Sequence, residues 1–506
     1  MTLVPSEHER RVYCLTGIAP EVQAYAMARY SRSRQSMMES VQELNAQRAE
    51  QFLNTFYFQY GHRSIADLAH LAMAVENISI LAAVRVVDEQ LWDGQERSTR
   101  YQDFRRTTYV IPPGIRGSSL EPRYVNAADS LFASYESLSE DLLQLLLDSA
   151  TPPASMDGAQ VRRTLRARAF DVARYLLPLA TRTSVGQVVS ARVLERQISR
   201  LLSDPLLELR EIGADLRHAA EESSATLDGL ATGPSAAPTL VKYTAPIPYL
   251  SETRLALAST ASEVLQGIQP ERNPTTVALT MEQPLLDETV ATLLYEHDPV
   301  GRSYQQISAV VSDLSEQRKQ AILHLSVVHR GRHDELLRAH QSGHALKFDL
   351  LMDFGSFRDL HRHRRCVQII QGPRSEHGFD DVREIFRLGL GEVGEAAEGL
   401  QQRFRQAIYE ASDAALTMRA ELTTLTDTPN DSAQYLLPLA VRTRALFKME
   451  LAEAAYIIEQ RTQPAGHFSY RHVAWGMYQE LRLQAPTLAA LVRPVDPTEV
   501  VDLFRR

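Results

Sequence analysis

The sequence predicts a helix-rich α+β fold built as two tandem repeats. Three observations carry that prediction. Residues 173–183 read ARYLLPLATRT and residues 433–443 read AQYLLPLAVRT, so nine of eleven positions match at an offset of 260. Self-similarity of this kind marks duplication before any local structure is considered. Long stretches with apolar residues every three to four positions flank both copies, which is the helical period. Between the copies, LATGPSAAPTLVKYTAPIPYLSE (230–252) is rich in Pro, Ala, Ser and Thr, the composition of a connection.

Repeat one is therefore expected over 1–230, a linker or extended arm over 231–270, and repeat two over 271–506. Each repeat is somewhat larger than a usual domain of roughly 100–150 residues. The helical stretches are 128–147 and 190–216 in the first copy, and 392–415 and 450–477 in the second. RTTYVIPP (106–113) and RCVQIIQG (365–372) are the best short β-like runs, since β-branched residues cluster between turn formers.

Bulk composition excludes several classes. The 506-residue chain has 63 Asp plus Glu against 54 Lys plus Arg, a net charge of −9. Broad nucleic-acid coating normally shows as overall basicity. Cys14 and Cys366 are the only cysteines, too few for a disulfide framework or a zinc knuckle. A reducing cytoplasm is the expected compartment. No apolar run approaches the ~18 residues of a membrane span, and the first residues lack an apolar signal core.

Against this acidic background, FRDLHRHRRC (357–366) gathers Arg358, His361, Arg362, His363, Arg364 and Arg365. Such a run is either a solvated face or a grip for phosphate, because Arg makes paired, charge-assisted bonds to it. Four histidines in HRGRHDELLRAHQSGH (329–344) fall at helical spacing. Without a His-Glu-x-x-His pattern they read as a polar helix, and no metal is expected.

Together, four motifs resemble those of the flavin-dependent thymidylate synthase family. They are the Leu-Leu-Pro…Thr segments above and the triplet Arg362-His363-Arg364, with ERSTRY (Glu96, Ser98, Arg100, Tyr101) and GHRSIAD (Gly61, His62, Ser64, Asp67). A helix-end Arg completes the family pattern, at Arg461 in the second copy and Arg200 in the first. His333 is the loose counterpart of His62 in repeat two. The copies depart from the family in complementary ways. Asp88-Glu89-Gln90 stand where the first copy's triplet belongs, Gly372 replaces the loop Ser of the second copy although Arg374 remains, and Arg174 before Leu-Leu-Pro is Gln434 in the second copy.

The resemblance implies binding of FAD, dUMP as substrate, and methylenetetrahydrofolate and NAD(P)H as co-substrates. It assigns Arg362, His363, Arg364, His62, Ser64 and Glu96 to the cofactor. Ser98, Arg100, Arg174 and Arg374 go to the substrate, and Arg461 and Arg200 to the reacting ring. A fixed guanidinium there stabilises charge developing on the pyrimidine, while the flavin carries the redox chemistry. The expected live site pools the triplet of repeat two with Ser98, Arg100 and Arg200 of repeat one, with Gln434 as its gap. The reciprocal pairing of Asp88-Glu89-Gln90 with Gly372 is expected to be inactive. The family's tetramers imply a homodimer that imitates a tetramer. Ser98 also reads as a turn residue, Arg174 and Gln434 as solvent-facing, and Thr183 and Thr443 as structural.

Overall fold

Each copy contributes a small sheet, and the two sheets share one strand order. Strands β1 (His70–Ser79), β2 (Asp93–Glu96) and β3 (Arg182–Ser190) are ordered β1–β3–β2. Strands β4 (Val277–Thr280), β5 (Leu346–Asp353), β6 (Val367–Ile370) and β7 (Arg442–Met449) are ordered β4–β5–β7–β6. Thus β5–β7–β6 repeats β1–β3–β2, and β4 is added at the edge. The second sheet is antiparallel throughout, with Leu346 opposite Met449 and Ile370 opposite Ala445.

The computed structural model describes residues 18–30, 49–50, 63–100, 104, 108–221, 237–271, 273–281, 284–331, 337–340, 343–425, 431–490, 492–497 and 502–504. Among these, the helices of the first half are α1 (Pro20–Tyr30), α2 (Ile80–Val86), α3 (Glu121–Ser149), α4 (Gly158–Ala173), α5 (Ala191–Leu202), α6 (Leu207–Glu221), α7 (Pro238–Val241) and α8 (Pro248–Val264). Those of the second half are α9 (Leu285–His297), α10 (Tyr304–Asp313), α11 (Glu316–Leu325), α12 (Phe354–Leu360), α13 (Val382–Glu395), α14 (Glu398–Leu425), α15 (Leu451–Arg461), α16 (Phe468–Gln484) and α17 (Pro486–Ala489). No described helix is long and apolar enough to cross a membrane.

The chain falls into two compact units. The smaller comprises 1–73, 187–199 and 212–245. In it, the Glu21 carboxylate of α1 accepts the Leu240 N–H at 2.8 Å, and Gln187 and Gln197 exchange amide hydrogen bonds at 3.1 and 3.0 Å. Asp67 meets Arg192 at 3.0 Å. The larger unit comprises 74–186, 200–211 and 246–506. It contains all the side chains whose contacts are given for the site below.

At the centre of the larger unit the two repeated segments pair with each other. Pro178 lies opposite Pro438 in an antiparallel bridge. Leu179 N–H donates to Leu437 O (2.9 Å) and Leu439 N–H to Leu177 O (3.0 Å); Ala180 N–H donates to Tyr435 O (2.8 Å) and Ala440 N–H to Tyr175 O (3.0 Å). These bonds are equivalent in pairs, so they define a local two-fold axis through the prolines. Proline has no N–H, and a non-hydrogen-bonded pair is the one register position that needs none. The leucines around it are all buried.

Each copy hangs its sheet and helix from this segment in the same way. Ile80 N–H donates to Thr181 O (2.9 Å) as Phe354 N–H does to Val441 O (3.1 Å), and Arg97 N–H donates to Ser184 O as Gln371 N–H does to Arg444 O, both 3.0 Å. The equivalence sets α2 on α12 and β2 on β6. It also pairs Ser79 with Asp353, each the N-cap of its helix. The Ser79 hydroxyl donates to Glu208 (2.7 Å), whereas in the second copy the Ser469 hydroxyl donates to Asp353. Hydroxyl and carboxylate have changed places. Tyr435 reaches across from the second copy to donate to Glu208 at 2.7 Å.

Three sequence expectations meet a different structure. The stretch 231–270 carries α8, whose Leu257 and Ala261, followed by Leu265, enter a core with Val290, Leu294 and Ile307. Its Ala, Ser and Thr content hid an apolar face at helical spacing. Of the polar helix expected over 329–344, the described residues show only a 3-10 turn over Arg338–His340, and 329–331 follow the end of α11 at Leu325 without a helix. His329 meets Glu252 at 2.9 Å and the His340 ring meets the Ser326 hydroxyl at 2.9 Å, while His333 lies outside the described residues. In the run 106–113, only a bridge from Tyr109 to Thr181 forms among the described residues. The run 365–372 does contain β6.

The Tyr435 contact gives a direct test of the central pairing. Tyr435→Phe removes one buried hydrogen bond to a carboxylate, and equilibrium urea unfolding should register a loss of about 1.5–3 kcal/mol. Tyr409→Phe, at an exposed tyrosine, should leave the midpoint unchanged.

Candidate functional site

Helix α12 delivers the cationic triplet. Asp353 caps it by accepting the Ser356 N–H at 2.7 Å, and the helix ends at Leu360. The turn that follows presents Arg362, His363 and Arg364 differently. Arg362 is 44% exposed, and its nearest carboxylate, Asp359, is 3.9 Å away. Arg364 lies over the Trp92 ring of the first copy at 4.2 Å, a cation–π geometry. His363 is buried, and its Nε2 accepts from Arg461 Nε at 2.6 Å. Burial first, then the charges of Arg461 and Arg364, push the His363 ring down to about 3.

The first copy repeats this arrangement with inverted chemistry. Arg200 Nε donates to Glu89 at 2.8 Å, just as Arg461 donates to His363. The middle residue of each triplet position therefore receives its own copy's helix-end arginine. Arg200, expected in the pooled site, is instead committed to Glu89 and to the Arg85 carbonyl (2.7 Å). Asp88 takes Arg338 at 2.5 Å and lies 3.8 Å from His361. Burial would raise the Asp88 carboxyl, but the surrounding positive charge, Arg338 first, holds it well below the usual range.

The loop of repeat one meets α12 of repeat two directly. Glu96 forms a buried ion pair with Arg358. The Ser98 hydroxyl accepts the Arg100 N–H at 3.2 Å, a local turn contact. Arg100 pairs with Asp171 at 3.0 Å and reaches the Tyr470 hydroxyl and the Ala465 carbonyl of the second copy, both at 3.5 Å. Arg461 stacks on the same Tyr470 ring at 5.6 Å. His467 bonds the Asp171 carbonyl at 2.9 Å.

Arg174 stands at the centre of this group. It is not solvent-facing: it is 2% exposed. Its Nη1 donates to Thr99 Oγ1 at 3.3 Å and its Nη2 lies 3.6 Å from Asp359 Oδ2, yet Nε and Nη2 have no hydrogen-bond partner. Unsatisfied buried donors cost on the order of 1–3 kcal/mol each, and they are common where a ligand completes the site. The structure thus brings Arg100, Arg174 and Ser98 of one copy together with Arg362, His363 and Arg461 of the other. It also moves the expected gap. Arg174 comes from the same copy as the loop, so Gln434 belongs to the reciprocal side.

That reciprocal side holds a pocket of about 80 Å³ lined by Gly372, Arg374, Arg419, Asp431 and Gln434. Arg374 donates to the Pro299 and Asp298 carbonyls and keeps Nε without a partner. Gly301-Arg302-Ser303 resembles Gly61-His62-Arg63-Ser64 with one residue fewer, and Ser303 caps α10 through a capping box. The Ser303-to-Gln306 spacing of a capping box is the sequence signal by which it could have been found. His62 and the Ser64 side chain lie outside the described residues. No group of metal ligands forms among the described residues.

A helix-rich fold of two copies, each with a short capped helix followed by a turn that is cationic in the second copy and acidic in the first, defines a duplicated scaffold. The family model described as thymidylate synthase complementing protein matches residues 16–222 and 287–487. The chain belongs to that family and contains its domain twice. A UPF0159 protein of Chlamydia pneumoniae is 26% identical over 479 residues, covering 92% of this chain and 84% of the relative. One of Thermoplasma acidophilum is 25% identical over 512 residues, covering 93% and 94%. A crystal structure of flavin-dependent thymidylate synthase ThyX from Helicobacter pylori, complexed with FAD and dUMP, aligns at TM-score 0.24 and 13% identity, covering 40% of this chain and 89% of that one.

The buried His363 makes stability depend on pH. An unfolded histidine takes a proton below about 6.5, whereas the folded ring resists protonation down to about 3. The unfolded state therefore binds more protons across that window, and folding stability falls as pH drops through it. Urea unfolding should show His363→Gln losing less stability than the parent between pH 7 and pH 5, by about 1–2 kcal/mol.

Proposed function

We propose that this protein performs flavin-dependent reductive methylation of a pyrimidine nucleotide, dUMP to dTMP, with methylenetetrahydrofolate and NAD(P)H as co-substrates. The observation that carries the reading is Arg174, a fully buried guanidinium with two free nitrogens in a chain of the thymidylate synthase complementing family. A nucleotide anion would satisfy those donors with paired bonds. Arg362 and Arg364 fit the diphosphate of FAD, because neither is consumed by a close carboxylate among the described residues. Bound there, the flavin would supply hydride transfer.

The chain's own groups do the rest. Thr99 and Asp359 orient Arg174, and Asp171 orients Arg100. Arg461 is held by His363 and Tyr470, which leaves its charge fixed beside the loop, where it stabilises negative charge developing on a pyrimidine ring. His62, Ser64 and Glu96 remain proposed cofactor contacts, Glu96 now through its pair with Arg358. Arg200 and Arg374 are proposed to serve the reciprocal side. A homodimer giving four copies of the domain is proposed as the working assembly, with the cytoplasm as its compartment.

A second reading has a specific observation in its favour. Arg100, Arg358 and Arg174 already face carboxylates of this chain, as expected of a binding protein that has kept the fold and lost the reaction. Purified protein should retain a yellow flavin, and the gene should rescue a thymidine-requiring strain. Flavin without rescue points to another acceptor; neither result points to the non-catalytic reading. Arg362→Ala should abolish flavin retention while Arg365→Ala, at a 78% exposed side chain, should not.

A further inference from the structure

Asp359 occupies an unusual place. It lies on α12 one turn before Arg362, with its side chain 15% exposed. Arg174 approaches its Oδ2 at 3.6 Å and Arg362 its Oδ1 at 3.9 Å. Both separations exceed hydrogen-bond distance, and Oδ2 is buried without a hydrogen-bond partner. Burial would raise the Asp359 carboxyl, but the positive charge of Arg174, then of Arg362 and Arg100, holds it below its ordinary value. A carboxylate held by charge alone, between the buried arginine of one copy and the triplet arginine of the other, is attracted but not fastened.

The other copy shows that the fold does not require it. The bond from Ile80 N–H to Thr181 O and that from Phe354 N–H to Val441 O place Arg85 at the position of Asp359. There the residue is a cation, and the counterpart of Arg174 is Gln434 rather than an arginine. The acid therefore accompanies Arg174, not the helix.

We infer that Asp359 is a resident counter-anion: it stands in for the nucleotide's anionic group at Arg174, beside Arg362, and that group must displace it to bind. The inference rests on the proposed site and deepens it. Asp359 sets how weakly the site takes an anion and discriminates against ligands that bring more negative charge than one carboxylate already supplies. Two acids cannot share the same two guanidinium groups without repulsion. The same residue keeps Arg174 compensated when no ligand is present, since an unpaired buried charge is costly.

Inorganic phosphate is a sufficient probe, titrated by calorimetry into the full-length protein at fixed ionic strength. Asp359→Asn should bind phosphate about tenfold or more tightly than the parent, as removal of one like charge a few ångströms away demands. Asp359→Glu, which keeps the charge, should stay near the parent, and so should Glu398→Gln, at an exposed acid on α14. Arg174→Gln placed in the Asp359→Asn background should cancel the gain. Equal or weaker binding by Asp359→Asn overturns the proposal, as does an equal gain in Asp359→Glu. If Asp359→Asn is too unstable to titrate, phosphate should raise its Tm more than the parent's; an equal shift counts against the idea. Neither readout needs flavin or turnover, so loss of the methylation reading leaves this result intact.

Discussion

Everything in the larger unit is arranged around one contact, the antiparallel pairing of two copies of Leu-Leu-Pro-Leu-Ala. Four backbone bonds of 2.8–3.0 Å, equivalent in pairs about Pro178 and Pro438, fix the two sheets and the two capped helices relative to a common axis. The apolar side chains on the segment are buried, so its polar backbone has to be paired, and the partner copy supplies the pairing. A duplicated sequence is here its own binding partner. That explains why these eleven residues stayed nearly identical while the flanks drifted apart.

Around this axis the charges have become complementary. Arg85 corresponds to Asp359, Asp88 to Arg362, and Glu89 to His363; Glu96 faces Arg358, whose counterparts Ile370 and Val84 are apolar. What looks like decay of the first triplet is also the gain of partners: Asp88 holds Arg338, and Glu89 holds Arg200. Arg362, 3.9 Å from Asp359, and Arg364, over the Trp92 ring, stay on the turn after α12 without a closer carboxylate among the described residues.

The sequence made the duplication, the helix-rich class and the meeting of the repeat-one loop with the triplet-bearing stretch of repeat two legible, because motif order survives in one dimension, but the helix-end arginine beside them is Arg461 and not the expected Arg200. The partners of each cation were not legible. Asp171 on α4, Tyr470 on α16 and His467 at its N-cap lie in stretches with no motif of their own, and Asp359 is one acid among the cations of 357–366. Most strands were hidden for a related reason. Strands β5 and β7 are buried on both faces, and their Lys347, Asp349, Arg444 and Lys448 pair inside, so charged residues stand where a fully buried strand would read as apolar. Stretches 190–216 and 450–477 each looked like one helix, yet each breaks, at Asp204-Pro205 and at Thr462–Gly466. Proline marks such a break in advance only when its context is trusted over the apolar period.

The inverted charges also bear on how such a gene can evolve. Two similar stretches in one reading frame invite recombination, by which one half overwrites the other. Copying the second half's turn onto the first would set an arginine at position 88 against Arg338; copying in the opposite direction would set a glutamate at position 363 against Glu453. Either event brings like charges together in a buried place. The two halves are thus protected from homogenisation by the contacts that distinguish them, and each is free to drift only where the other does not touch it.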